Sequence, residues 1–86
     1  MSKKISKEIL KYTAIFEPAE EGGYVVSVPA LPGCMTQGET LEEAIEMIKD
    51  AISGYIASLR KHNEPIPTES GPSLVRVIDI PVPATL

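Results

Sequence analysis

Three kinds of side chain in this 86-residue chain have the chemistry that catalysis or metal binding uses: a crowd of carboxylates, one thiol and one imidazole. Glu17, Glu20, Glu21, Glu39, Glu42, Glu43, Glu46 and Asp50 are the carboxylates of the middle of the chain. A metal-dependent nuclease would need several of them to converge from strands and a helix onto ions about 4 Å apart. Their positions point elsewhere. Glu20 and Glu21 stand beside a glycine pair, in a loop, while Glu39, Glu42 and Glu43 bracket the start of a helix, where capping and the helix dipole account for them. Cys34 as a nucleophile would need a base or a positive field beside it. The sole histidine, His62, falls at the far end of the helix and reads as a helix-end cation. Cys34 is accordingly expected to be a small, half-buried turn residue. The pattern predicts no catalytic residue, no metal site and no cofactor.

Charge and composition narrow the partners. The formal net charge is −4, which disfavours direct binding to a phosphate backbone by the domain as a whole. Between residues 12 and 50, seven Glu and Asp50 stand against the single Lys49. Such an acidic middle suits a basic protein partner. Tyr12, Phe16, Tyr24 and Tyr55 are the only aromatics, too few for a platform that stacks single-stranded nucleic acid. One cysteine rules out an internal disulfide framework, the N-terminus MSKKISKEIL lacks an apolar signal core, and no apolar run is long enough to span a bilayer. A cytoplasmic protein that does not engage membranes is the expectation.

The elements that must position these groups follow from periodicity. A single domain is expected over residues 1–86, with a basic N-terminal arm at 1–10 and a core at 11–80. Lys11–Glu17 alternates as a strand, with Tyr12, Ala14 and Phe16 on one face. Gly22-Gly23 supplies a reversal, and Tyr24–Val28 alternates again, which predicts an antiparallel hairpin. Leu31-Pro32-Gly33-Cys34 has proline and glycine at the centre of a type II turn, after which Met35–Gln37 can run back as a third strand. Gly38 suggests a bulge or a close backbone approach. Thr40-Leu41-Glu42-Glu43 has capping-box spacing, and Leu41, Ala44, Ile45, Ile48, Ile52, Tyr55, Ile56 and Leu59 form one apolar stripe. Arg60 and Lys61 close that helix and Pro65 follows it. Gly54 is a weak point within it. The β-branched run Leu74–Ile80 predicts a fourth strand, ended by Pro81 and Pro83. The fold class is therefore α+β, in the order β-β-β-α-β, an antiparallel-type sheet with one long helix on one face.

Gly23-Tyr24, Pro29, Leu31-Pro32-Gly33-Cys34, Gly38, Thr40 and Glu43-Ala44, in this order and spacing, resemble the HicB family. These are the antitoxin halves of HicA–HicB toxin–antitoxin pairs and their stand-alone relatives, and the resemblance covers residues 11–80. It implies a partial RNase H-like fold and a non-enzymatic role: binding and neutralising a small basic HicA-like toxin that cleaves mRNA. Many members carry a DNA-binding segment after this domain. Here the sequence ends PVPATL after the fourth predicted strand, so no direct nucleic-acid binding is expected of this chain. The alternatives are a vestigial RNase H-like nuclease and a stand-alone oligomeric regulator without a toxin.

Two surfaces follow. Glu20, Glu21, Tyr24, Pro29, Leu31, Pro32 and Cys34 are the expected partner-binding residues, a turn with acidic neighbours. Ile15 and Val25 lie on the strand faces opposite Phe16 and Val26, and a chain this small gains by covering them. They are the expected interface of a homo-oligomer, dimeric or higher.

Overall fold

The computed structural model describes residues 9–69, 71 and 74–84; most of the arm expected at 1–10 lies outside them. Three short strands, β1 (Ile15–Pro18), β2 (Tyr24–Ser27) and β3 (Met35–Gly38), precede one helix, α1 (Leu41–Lys61). The sheet is antiparallel in the order β1-β2-β3. Its strands are shorter than the alternation predicted. Lys11–Ala14 is not part of the ladder, and Pro18 is its last position, opposite Tyr24.

The β1–β2 hairpin closes through hydrogen bonds from Ala19 N–H to the Gly23 carbonyl (2.9 Å) and from Gly22 N–H to the Ala19 carbonyl (3.0 Å). Gly22 and Gly23 both adopt positive φ, 101° and 76°, which other residues reach only with strain. The second reversal is the predicted turn: Cys34 N–H donates to the Leu31 carbonyl at 2.9 Å, with Gly33 at φ 82°.

Helix α1 begins where the capping residues place it. The Thr40 hydroxyl accepts the Glu43 N–H at 3.0 Å, and the Glu43 carboxylate accepts the N–H of Glu39 at 2.8 Å, one residue ahead of the usual capping-box partner. At the other end Asn63 takes φ 55° and Glu64 N–H returns to the Leu59 carbonyl at 2.8 Å. The core forms between the helix and one sheet face. Val26, Val28, Leu31, Cys34, Ala44 and Ile48 are buried, flanked by Tyr12, Ala14, Phe16, Tyr24, Ala51, Ile52 and Tyr55. The helical stripe is shifted slightly from the predicted one: Ala51 joins it, and Leu41 at its start is exposed.

The fourth strand does not form within the chain. Residues 74–80 take no strand pairing and are exposed throughout. β-propensity is realised only beside a neighbouring strand, and among the described residues none pairs with this run. After α1 the chain returns to the start of β1, where the Tyr12 hydroxyl donates to the Pro67 carbonyl at 2.6 Å. The Glu69 carboxylate there accepts both the backbone N–H and the hydroxyl of Thr13. Those bonds hold Glu69 level with Thr13.

Candidate functional site

Two glycines bring the acidic groups together. A Cβ at Gly23 would collide with the Gly38 carbonyl oxygen, and one at Gly38 would lie 2.5 Å from the Ala44 amide nitrogen. The hairpin end, the end of β3 and the first turn of α1 therefore meet at backbone distance. The result is a cleft of about 200 Å³ lined by Glu21, Tyr24, Gln37, Glu39 and Glu43, with Ala19, Gly22 and Gly38 as its backbone wall. Glu21, which lines it, is exposed, as is its neighbour Glu20 outside it, and Tyr24 is half-buried within it. Among the described residues, no positively charged side chain lines it. Such a cleft presents acceptors and negative potential to an incoming cation, while Glu43 is partly occupied by its bond to Glu39.

The expected partner surface divides in two. Glu21 and Tyr24 line this cleft and Glu20 is the neighbour of Glu21 in the hairpin loop, whereas Pro29, Leu31, Pro32 and Cys34 belong to the turn beyond the opposite end of β2. Of these four residues only Pro29 and Pro32 are exposed; Leu31 and Cys34 are buried core residues, 0% and 5% exposed. Both therefore hold the turn from inside and offer a partner no side-chain surface. The turn is also tied to the helix, because the Tyr55 hydroxyl donates to the Pro32 carbonyl at 2.8 Å. Burial pushes the Cys34 thiol pKa up, so the sulfur stays protonated and unreactive at neutral pH. The structure makes it a core residue, more enclosed than a half-buried turn position.

His62 serves the helix end. Its Nδ1 lies 2.8 Å from the Ser58 carbonyl oxygen, which also accepts the His62 backbone N–H at 3.1 Å, so the ring reinforces the last turn. Among the described residues no group of three or more His, Cys, Asp or Glu is arranged to hold a metal ion. Glu42, Glu46 and Asp50 are spread along exposed helix surface, where Lys49 pairs with Glu46 at 3.5 Å. An exposed pair of that kind contributes little.

Ile15 and Val25 sit on the sheet face away from α1. The register places Ile15 opposite Ser27, Val25 between Glu17 and Gln37, and Met35 beyond Ser27. Ile15 and Val25 are half-buried, and Met35, which sequence reasoning left out of this face, is 59% exposed. Glu39 and Gln37 are likewise cleft residues that the sequence reading assigned elsewhere. The signal for them was Gly38, whose need for close approach implied that its neighbours would meet the hairpin.

A small sheet with one helix, an acidic cleft and no metal-binding cluster among the described residues is the frame of a protein-binding module. The family model for the HicB-like antitoxin of bacterial toxin–antitoxin systems matches residues 12–79, and the chain belongs to that family. Relatives span the same stretch. A UPF0150 protein of Thermoplasma acidophilum is 59% identical over 61 residues, 71% of this chain and 88% of the relative. Antitoxin HicB 1 of Photorhabdus laumondii is 42% identical over 73 residues, 85% of this chain but 46% of the relative. Antitoxin HicB of Escherichia coli K12 is 43% identical over 61 residues, 71% of this chain and 44% of the relative. The chain thus spans less than half of these two named antitoxins and most of the UPF0150 protein. Family membership makes its role non-enzymatic protein binding, with a toxin as partner. No helix among the described residues is long and apolar enough to cross a membrane.

Proposed function

We propose that the chain neutralises a small basic toxin of the HicA type, with the cleft around Tyr24 receiving basic side chains of that toxin. The observation that carries this reading is the convergence of Glu21, Glu39 and Glu43 on one cleft that no cation lines among the described residues. Complementary charge raises the encounter rate and fixes orientation. Pro29 and Pro32, exposed beyond the other end of β2, form a second point of contact, held in place by the Tyr55 bond. The antitoxin then works by covering the toxin's RNA-binding face. It acts as a homo-oligomer in the cytoplasm, and Ile15, Val25 and Met35 are covered between copies.

The test uses the small basic protein encoded beside this gene. Titration calorimetry and an RNA-cleavage assay should show that this chain binds it and suppresses its activity. Reversing the exposed pair, Glu20→Lys with Glu21→Lys, should weaken binding about tenfold and flatten its salt dependence. The fold should be unaffected, because both side chains are exposed. Absence of binding would overturn the antitoxin reading. Binding that ignores the charge reversal would remove the cleft from it.

A further inference from the structure

Gly54 sits in the middle of α1 on its exposed side. A Cβ at that position meets no atom within 4 Å among the described residues, and its φ is not in the left-handed region. Glycine disfavours a helix interior because it gives up the most backbone freedom on folding. For the fold alone it is therefore a defect. Gly38 shows what justifies a glycine in this protein: another backbone passes where its Cβ would stand. At Gly54 no described part of the chain plays that role.

Helical spacing sets the companions of Gly54. Glu43, Met47, Asp50 and Gly54 follow one another at intervals of four, three and four residues, which places them along one flank of α1. All four are exposed, Met47 at 45%. The flank runs beside the buried line of Ala44 and Ile48. Its first member, Glu43, lines the acidic cleft, so cleft and flank are one surface that continues for about 16 Å along the helix. The flank carries two carboxylates and no cation. Lys49 stands off it and pairs with Glu46. At the same spacing Ser58 and Lys61 come next, so the acidic part ends near Gly54.

We propose that the basic toxin received by the cleft also lies along this flank of α1, with its backbone passing over Gly54. The proposal rests on the antitoxin reading above and extends its surface from the hairpin end to the middle of the helix. Glu43 at the cleft and Asp50 two turns on present carboxylates to basic side chains. Met47, between them, has an unbranched, polarisable side chain that adapts to an apolar neighbour. Gly54 admits a close backbone approach that a side chain would block. Charge selects the occupant. A second copy of this chain, with net charge −4, would bring more negative charge to Glu43 and Asp50, whereas a basic partner complements them.

The experiment separates binding from stability. The probe is the small basic protein encoded beside this gene, titrated calorimetrically against wild type, Gly54→Ala, Gly54→Gln, Met47→Gln and Ser53→Gln. Ser53 is exposed and adjoins Gly54, but lies about 100° round the helix, off the flank. Gly54→Ala should weaken binding about tenfold and Gly54→Gln more, as the inserted side chain grows. Neither should lower the thermal unfolding midpoint of the free chain, since both residues favour a helix over glycine. Met47→Gln should weaken binding about threefold by setting a polar group against the apolar neighbour. Ser53→Gln should bind as the wild type does. Lost affinity in variants at least as stable as wild type is a result that a purely structural role for Gly54 does not produce. Wild-type affinity in both Gly54 variants, or equal weakening by Ser53→Gln, would overturn the flank contact while leaving the cleft in place. A wild type that binds no basic partner would overturn the antitoxin reading, and the flank contact with it.

Discussion

Gly38 and Ala44 touch backbone to backbone: a Cβ on Gly38 would lie 2.5 Å from the Ala44 amide nitrogen and 2.7 Å from its Cα. Neither partner atom belongs to a flexible side chain, so any added carbon must push the helix away from β3. Gly38→Ala should therefore destabilise the fold by about 1–3 kcal/mol, the range of core overpacking. Urea unfolding followed by circular dichroism measures it. The opposite sign is expected at Gly54, where an added Cβ meets nothing within 4 Å and the residue sits in mid-helix. Gly54→Ala should stabilise by about 0.5–1 kcal/mol. Two glycine-to-alanine changes of opposite sign separate a packing requirement from a helix-propensity defect; equal signs would mean the helix does not bear on β3 as described.

That contrast shows what the sequence could convey. Gly38 and Gly54 were both conspicuous as glycines, and the sequence alone named the right possibility for each, but only the packing shows which one is needed. Local devices were legible because their causes are local. The Gly22-Gly23 reversal, the Pro32-Gly33 turn and the Thr40 cap depend on neighbours a few residues away, and each forms as its residue types require. Leu74–Ile80 was misread because strand propensity states only that a run will pair given a partner. Whether a partner strand lies beside it is decided by tertiary placement, which propensity does not carry. The candidate site was half legible for a related reason. Tyr24 and Pro32 are close in sequence, yet β2 separates them, whereas Glu21 and Glu39 are distant in sequence and share a cleft.

The cap at the start of α1 supports both stability and the cleft. Thr40 accepts the Glu43 N–H while Glu43 holds the Glu39 N–H, so one small network sets the first turn and the position of two cleft carboxylates. Thr40→Ala should cost about 1 kcal/mol by loss of the cap. Thr40→Ser, which keeps the oxygen, should recover most of it. Chemical denaturation of the pair decides this: an alanine variant as stable as the serine variant would show that the hydroxyl contributes nothing.

The last expectation concerns alkaline pH. Cys34 is buried in the core, and that burial holds its thiol pKa above the ordinary range in the folded chain. In the unfolded chain the thiol ionises near its usual value, about 8.5. Between those two values the unfolded state binds fewer protons than the folded one, so the linkage slope is negative and stability falls as pH rises. Below about pH 8 both states keep the proton and the group adds no pH dependence. Cys34→Ala lowers stability at every pH by leaving a small cavity, but it also removes this alkaline slope. Unfolding free energies under reducing conditions, taken between about pH 7.5 and 10, should therefore converge for wild type and variant as the pH rises. Curves that stay parallel across that window would show that Cys34 ionises as readily in the folded chain as in the unfolded one. That result would contradict its place beside Val28 and Leu31 in the core.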